Sequence, residues 1–68
     1  MTELAIAIGQ NIRKARKEKD LSQEKLALMC ELDRSYLGRI ERGEVNITVL
    51  KLYEISKVLE VDIRILLV

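Results

Sequence analysis

Arginine carries most of the recognisable chemistry in this sequence, and it is unevenly spread. Arg34, Arg39 and Arg42 fall in one short stretch, while Arg13, Lys14, Arg16, Lys17 and Lys19 crowd another. A guanidinium presents a planar fork of donors that meets a phosphate, or the edge of a guanine, with two parallel hydrogen bonds. The means of catalysis are missing. The chain has no histidine and one cysteine, Cys30, so neither an intrachain disulfide nor a Cys/His zinc site can be built. No nucleophile stands with a base, so an enzyme is not expected. No cofactor and no metal are implied.

Residues of this kind work only if rigid elements hold them, and composition limits what those elements are. Sixty-eight residues make one domain, residues 1–68, with a limited core. A second copy of the chain is the simplest source of further buried area. Aromatics amount to 3%, so the core must be aliphatic, and stacking platforms for single-stranded nucleic acid are disfavoured. Proline is absent and glycine occurs three times in a chain rich in Leu, Ile, Glu and Lys, which favours an all-α fold. No apolar run approaches the length of a membrane span or a signal segment, so no membrane association is expected and a cytoplasmic protein is.

Periodicity divides the chain into helices. Leu4, Ile8, Ile12 and Ala15 recur at spacings of four and three, predicting a first helix over about Glu3–Lys19 with these four on its inner face. Glu3 at its start and the basic cluster near its end suit the helix dipole. Asp20 breaks the pattern. Ser22 is a favoured N-cap, opening a second helix over about Gln23–Met29 with Leu26, Ala27 and Cys30 inward. Asp33 is the next cap candidate. Leu37 and Ile40 follow, and Gly43 is a stop, giving a third helix over about Arg34–Arg42. Two short helices joined by about four residues pack at a steep angle, as in a helix-turn-helix. Thr48 caps a fourth helix to about Leu59, with Val49, Leu52, Ile55 and Leu59 inward. The apolar tail from Ile63 to Val68 reads as a last helical turn or two, or as a strand.

The stretches Leu21-Ser22-Gln23-Glu24-Lys25-Leu26-Ala27, Leu32-Asp33-Arg34-Ser35-Tyr36-Leu37 and Ile40-Glu41-Arg42-Gly43 resemble the Cro/C1-type, or xenobiotic-response-element, helix-turn-helix family. The likeness extends to Ile12 and Arg16 before them and to Leu52, Ile55 and Leu59 after, covering residues 8 to 61. Many members carry proline where Ile47 stands. Asn46-Ile47-Thr48, with the run from Leu32 to Tyr36, is similar to controller proteins of restriction-modification systems. The family implies a compact, five-helix, lambda-repressor-like fold. It also implies an ion pair between Arg16 and Glu41, read as structural, and a Gln23 that braces the recognition helix. One departure is Glu31, where the family has glycine in a left-handed turn. Glutamate there is disfavoured by about 1–2 kcal/mol, so either the turn changes or the strain is accepted.

Helix geometry then distributes roles. A third helix that fits the major groove, about 12 Å wide, reaches base edges with its N-terminal half. Its outward positions are Arg34, Ser35, Gly38 and Arg39. Arg34 and Arg39 are candidates for base contact, and Ser35 for a base or a phosphate. Gly38 permits close approach and reads nothing. Gln23, at a helix N-terminus, suits phosphate. Tyr36 suits a phosphate or sugar, or partial burial in the core. Arg42 and Asn46 are candidate phosphate contacts that fix orientation. Lys25 and the first-helix bases add long-range attraction or form a solvated face, and Cys30 reads as a buried inert thiol. Leu50, Ile65, Leu66 and Leu67 exceed the needs of so small a core and are assigned to a dimer interface.

These roles converge on a homodimer that binds a pseudo-palindromic operator in double-stranded DNA and blocks or recruits RNA polymerase. A restriction-modification controller, a phage-type repressor and an antitoxin all fit. A protein-interaction module that kept the fold without DNA binding is the rival of a different class, and the net charge of +1 favours it.

Overall fold

A computed structural model describes residues 2–68, and five helices without strands account for their regular structure. They are α1 (Glu3–Glu18), α2 (Gln23–Met29), α3 (Arg34–Glu41), α4 (Val49–Leu59) and α5 (Ile63–Leu67). Three start because a short polar side chain takes a free amide three residues on. Thr2 Oγ1 accepts from the Ala5 amide at 3.0 Å, Ser22 Oγ from Lys25 at 3.0 Å and Thr48 Oγ1 from Lys51 at 3.1 Å. Asp33 holds the N-cap position of α3 with extended backbone, but its carboxylate accepts no cap hydrogen bond. The tail is helical. Asp62 caps α5 by accepting from the Arg64 amide at 2.9 Å and from the Arg64 guanidinium.

The first four helices end in the same way. Asp20, Glu31, Gly43 and Glu60 each have a left-handed backbone, with φ of 57°, 56°, 76° and 60°. The next amide reaches back five residues in every case: Leu21 to the Arg16 carbonyl, Leu32 to Ala27, Glu44 to Arg39 and Val61 to Ser56. This is the Schellman stop, which satisfies carbonyls the helix leaves open. Leu21, Leu32 and Val61 follow the stop and pack against the core, the apolar contact that usually accompanies it. Glu44 takes that place after α3 and has a different use, described below. Glu31 keeps the left-handed turn and accepts its strain. Glu31→Gly is therefore expected to stabilise by about 1 kcal/mol. In a domain of this size that raises Tm by roughly 4–8 °C, measurable by thermal denaturation.

Gly43 is needed twice over, since a Cβ there would lie 2.7 Å from the Ile6 Cα. Gly9, in the middle of α1, lets the two backbones touch. A Cβ on it would stand 2.4 Å from the Ile40 carbonyl oxygen and 2.6 Å from that of Glu41. Helix α1 thus lies directly against α3, while α2 packs on α3 and α5 closes against both α1 and α4. Ile8, Ile12, Ala15, Leu26, Ala27, Leu37, Ile40, Leu52, Ile55, Leu59 and Leu66 fill the space between them.

Two inward assignments from periodicity and one interface assignment need correction. Leu4 is 58% exposed and Val49 76% exposed. Both lie in the first turn of their helices, where the face is right but no neighbouring element covers it. Leu66, assigned above to a dimer interface, is completely buried in this chain's own core. A helix of five residues turns one of its four apolar side chains fully inward, and Leu66 has that phase. The Asn11 side-chain amide donates to the Leu66 carbonyl at 3.0 Å and to Val68, tying α5 to α1.

The cap at Asp62 is sensitive to acid. Hydrogen bonds from the Arg64 side chain, then from its backbone, lower the Asp62 carboxyl to about 2. A depressed carboxyl contributes stability that is complete above its unfolded value, near 4, and disappears as pH falls towards the folded value. Between pH 4 and pH 2 the α5 amides should lose protection from hydrogen exchange, and Asp62→Asn should remove that pH dependence.

Candidate nucleic-acid interface

The face of interest forms where the start of α2 meets α3. Gln23 is the first residue of α2, and Arg34, Ser35 and Arg39 ride on α3. With Asp33 and Arg42 they line one open hollow of about 560 Å³. Arg34, Ser35, Arg39 and Arg42 are exposed and Gln23 is half-buried. The local reason is simple. Leu37 and Ile40 are buried, which fixes the phase of α3 and leaves positions 34, 35 and 39 pointing away from the core.

Beneath the hollow lies a buried polar cluster that locks α3 in place. Arg16 Nε donates to Glu41 Oε2 at 2.8 Å and Arg16 Nη2 to Glu41 Oε1 at 3.0 Å, a two-pronged pair. Arg16 and Glu41 are 8% and 5% exposed. Arg16 Nη1 also donates to the Leu21 carbonyl at 2.8 Å, so one side chain joins α1, the stop after it and the end of α3. Gln23 Nε2 donates to Glu41 Oε1 at 3.0 Å. The start of α2 and the end of α3 are thereby tied together. A carboxylate at a helix C-terminus opposes the dipole, and the guanidinium answers it.

Gly38 is not an outward position. It is buried, and a Cβ there would meet Arg42 Nη1 at 3.1 Å and Gln23 Oε1 at 3.5 Å. Two neighbouring side chains fold over it, so its small size admits them rather than a partner molecule.

The other expected site residues are spread more widely. Tyr36 is half-buried and packs against the core. Asn46 is exposed but lies with Ile47 beside Thr2, Leu4, Ala5 and Ile8 at the start of α1, outside the hollow. Of the first-helix bases, Lys14 flanks α5 together with Asn11, Glu18, Ile65 and Val68. Lys19 pairs with Glu60. Cys30, expected to be buried, is half-buried, and its thiol is pushed above its ordinary value, first by burial, with Lys51 opposing.

Glu44 is the one participant the sequence reading missed. Arg42 Nε donates to Glu44 Oε2 at 2.7 Å, and Arg39 Nε lies 3.9 Å from Glu44 Oε1. The Arg42 hydrogen bond holds the Glu44 carboxyl below the usual carboxylate range, and Glu44 in turn raises Arg42. Among the described residues Arg34 has no carboxylate within ion-pairing distance. The available signal was an acidic residue just past a glycine stop, two and five residues after arginines. Among the described residues no helix is long and apolar enough to cross a membrane.

Comparison with known proteins identifies the family and the fold. The helix-turn-helix family profile HTH_3 matches residues 12–66. Control protein C.MunI from Mycoplasma sp is 44% identical over 57 residues, spanning 82% of this chain and 77% of that protein. The restriction-modification controller protein C.AhdI from Aeromonas hydrophila superposes with a TM-score of 0.86 at 39% identity, covering 91% of this chain and 94% of that one. The master regulator for biofilm formation SinR, solved in complex with DNA, superposes at 0.83 with 40% identity over 90% of this chain and 98% of that one. Five helices in this order, an α2–α3 pair at the site and a profile match over most of the length lead to one assignment: the chain belongs to the Cro/C1-type helix-turn-helix family.

Proposed function

We propose that this chain is a sequence-specific DNA-binding transcriptional regulator, one domain per subunit, acting as a symmetric dimer in the cytoplasm. Helix α3 enters the major groove. Arg34 and Arg39 read base edges, Ser35 a base or a phosphate, and Gln23, Arg42, Tyr36 and Asn46 serve the backbone. The observation that carries this is the hollow in which Gln23, Arg34, Ser35, Arg39 and Arg42 meet on one exposed face. Occupancy of the operator then blocks or recruits RNA polymerase. The likeness to C.MunI and C.AhdI favours a restriction-modification controller within this class, and adjacent methyltransferase and endonuclease genes are the matching genomic signature.

Selection from random duplexes tests the reading. Two half-sites related by a two-fold axis, with centres about 34 Å apart, are the expected product. A pool that stays random through selection would count against it. The dimer is supported by apolar residues left in water: Leu50 is 69% exposed, Ile65 56% and Leu67 42%. Leu66 has no share in it. Leu67→Glu is expected to shift the sedimentation profile towards monomer at concentrations where the parent is dimeric. An unchanged profile would move the interface elsewhere.

The rival reading, a protein-interaction module without DNA binding, draws on the net charge of +1 and on Glu44 covering two of the arginines. Salt separates the two. A DNA binder loses affinity linearly in log salt, with a slope set by its phosphate contacts.

A further inference from the structure

Glu44 occupies an odd place for a residue of a DNA-binding face. It follows the stop of α3, where the equivalent positions after α1, α2 and α4 are apolar and packed inward. Its side chain turns outward instead and reaches two arginines at once. Arg42 holds it tightly, at 2.7 Å, and Arg39 loosely, at 3.9 Å. A carboxylate on a guanidinium stands where a phosphate oxygen would stand, with the same two-pronged chemistry. The face also carries Asp33, but no arginine lies within 4.0 Å of it among the described residues. Glu44 is therefore the acidic group that any approaching phosphate must displace or tolerate.

We propose that Glu44 is a specificity-setting residue: a built-in phosphate surrogate that suppresses binding to arbitrary duplexes while holding Arg39 in line for a base edge. This rests on the DNA-binding reading above. On an arbitrary duplex the arginines meet phosphates alone, and Glu44 only competes with them and repels. On the cognate duplex Arg39 swings from its loose contact to a nearby base edge with the Glu44 charge still limiting its reach, while Arg42 keeps its Nε bond to Glu44 and turns its remaining N–H groups to phosphate. Removing the charge thus has one effect on arbitrary sequence, a gain. On cognate sequence it has two effects that oppose each other, release from competition and loss of alignment.

The test is E44Q, which keeps size and one acceptor oxygen while removing the charge, measured beside the parent on a selected duplex and on a scrambled one over a range of salt. Glu44 is exposed, and thermal denaturation of E44Q checks that the fold is kept. The expected result is a gain of about two- to fivefold on the scrambled duplex, the scale of an exposed ion pair. The cognate duplex should gain less, so the cognate-to-scrambled ratio falls. The scrambled-duplex slope of log affinity against log salt should steepen by up to about 0.9 as one more positive charge becomes free. Equal affinities and slopes for parent and E44Q would overturn the proposal and leave the DNA-binding reading intact. A loss on the cognate duplex with no gain on the scrambled one would also overturn it, making Glu44 a direct base contact. Failure of the parent to bind any duplex would sink the DNA-binding reading, and this proposal with it.

Discussion

Glu41→Ala will bring the chain close to unfolding. It removes both carboxylate oxygens paired with a guanidinium whose side chain is 9% exposed and leaves Arg16 with the Leu21 carbonyl alone. Breaking one side of a buried pair strands the other charge away from water, at a cost of about 3–5 kcal/mol. A domain of this size has roughly 3–10 kcal/mol in total, so the urea midpoint should fall by a third or more. The double replacement Arg16→Met, Glu41→Leu separates pairing from position. It strands no charge, and buried pairs exchanged for apolar residues of similar volume are often close to neutral. Gln23 then loses its acceptor, but it is half-exposed and water can replace it. A double variant as unstable as Glu41→Ala would show that the site is unable to accept apolar packing, and the pair would have to be credited with more than charge compensation.

Arg39→Ala will lower affinity for the selected duplex by about 5- to 150-fold, the 1–3 kcal/mol of a two-pronged arginine–guanine contact. A scrambled duplex should lose far less, because one phosphate-range charge is removed and no base contact exists to lose. The fold should be untouched, since the Arg39 side chain is 53% exposed and its nearest carboxylate, Glu44, is 3.9 Å away. Arg34→Ala should behave likewise, whereas Arg42→Ala should weaken both duplexes together. If Arg39→Ala lowered both equally, Arg39 would belong to the phosphate backbone instead.

Much of this molecule is readable from local chemistry. Ser22 and Thr48 cap their helices through bonds to amides three residues away, and such short-range contacts are written directly in the sequence. The phase of α3 is equally plain from Leu37 and Ile40. What periodicity lacks is the extent of the neighbouring elements. Leu4 and Val49 have the right spacing, yet each is left exposed once the helices are packed. The choice between Leu66 and Leu67 depends on how Asn11 and the rest of α1 seat a five-residue helix, which no pattern of apolar residues encodes. Gly38 was misread for the same reason. Its cover comes from Gln23 on another helix and from Arg42 beyond its own. At Gly9 a signal was present, since a glycine inside a helix costs about 1 kcal/mol against alanine and calls for a reason. That reason, contact with two carbonyls of α3, emerges only when the helices are packed. Glu44 reaches across a turn to side chains on either side of the stop, a contact that depends on the left-handed backbone at Gly43.

Everything proposed for this chain requires that α3 and the start of α2 touch DNA with no other part of the protein between. The direct test is a titration of isotopically labelled protein with a duplex recovered by selection, followed by NMR. The backbone amides of Gln23 and of residues 33 to 42 should move, together with the Nε–Hε signals of Arg34 and Arg39. Resonances of α4 and α5 should hold still once the protein is dimeric. Stationary signals on α3 beside shifting ones on α4 or α5 would mean that DNA, if it binds, binds elsewhere.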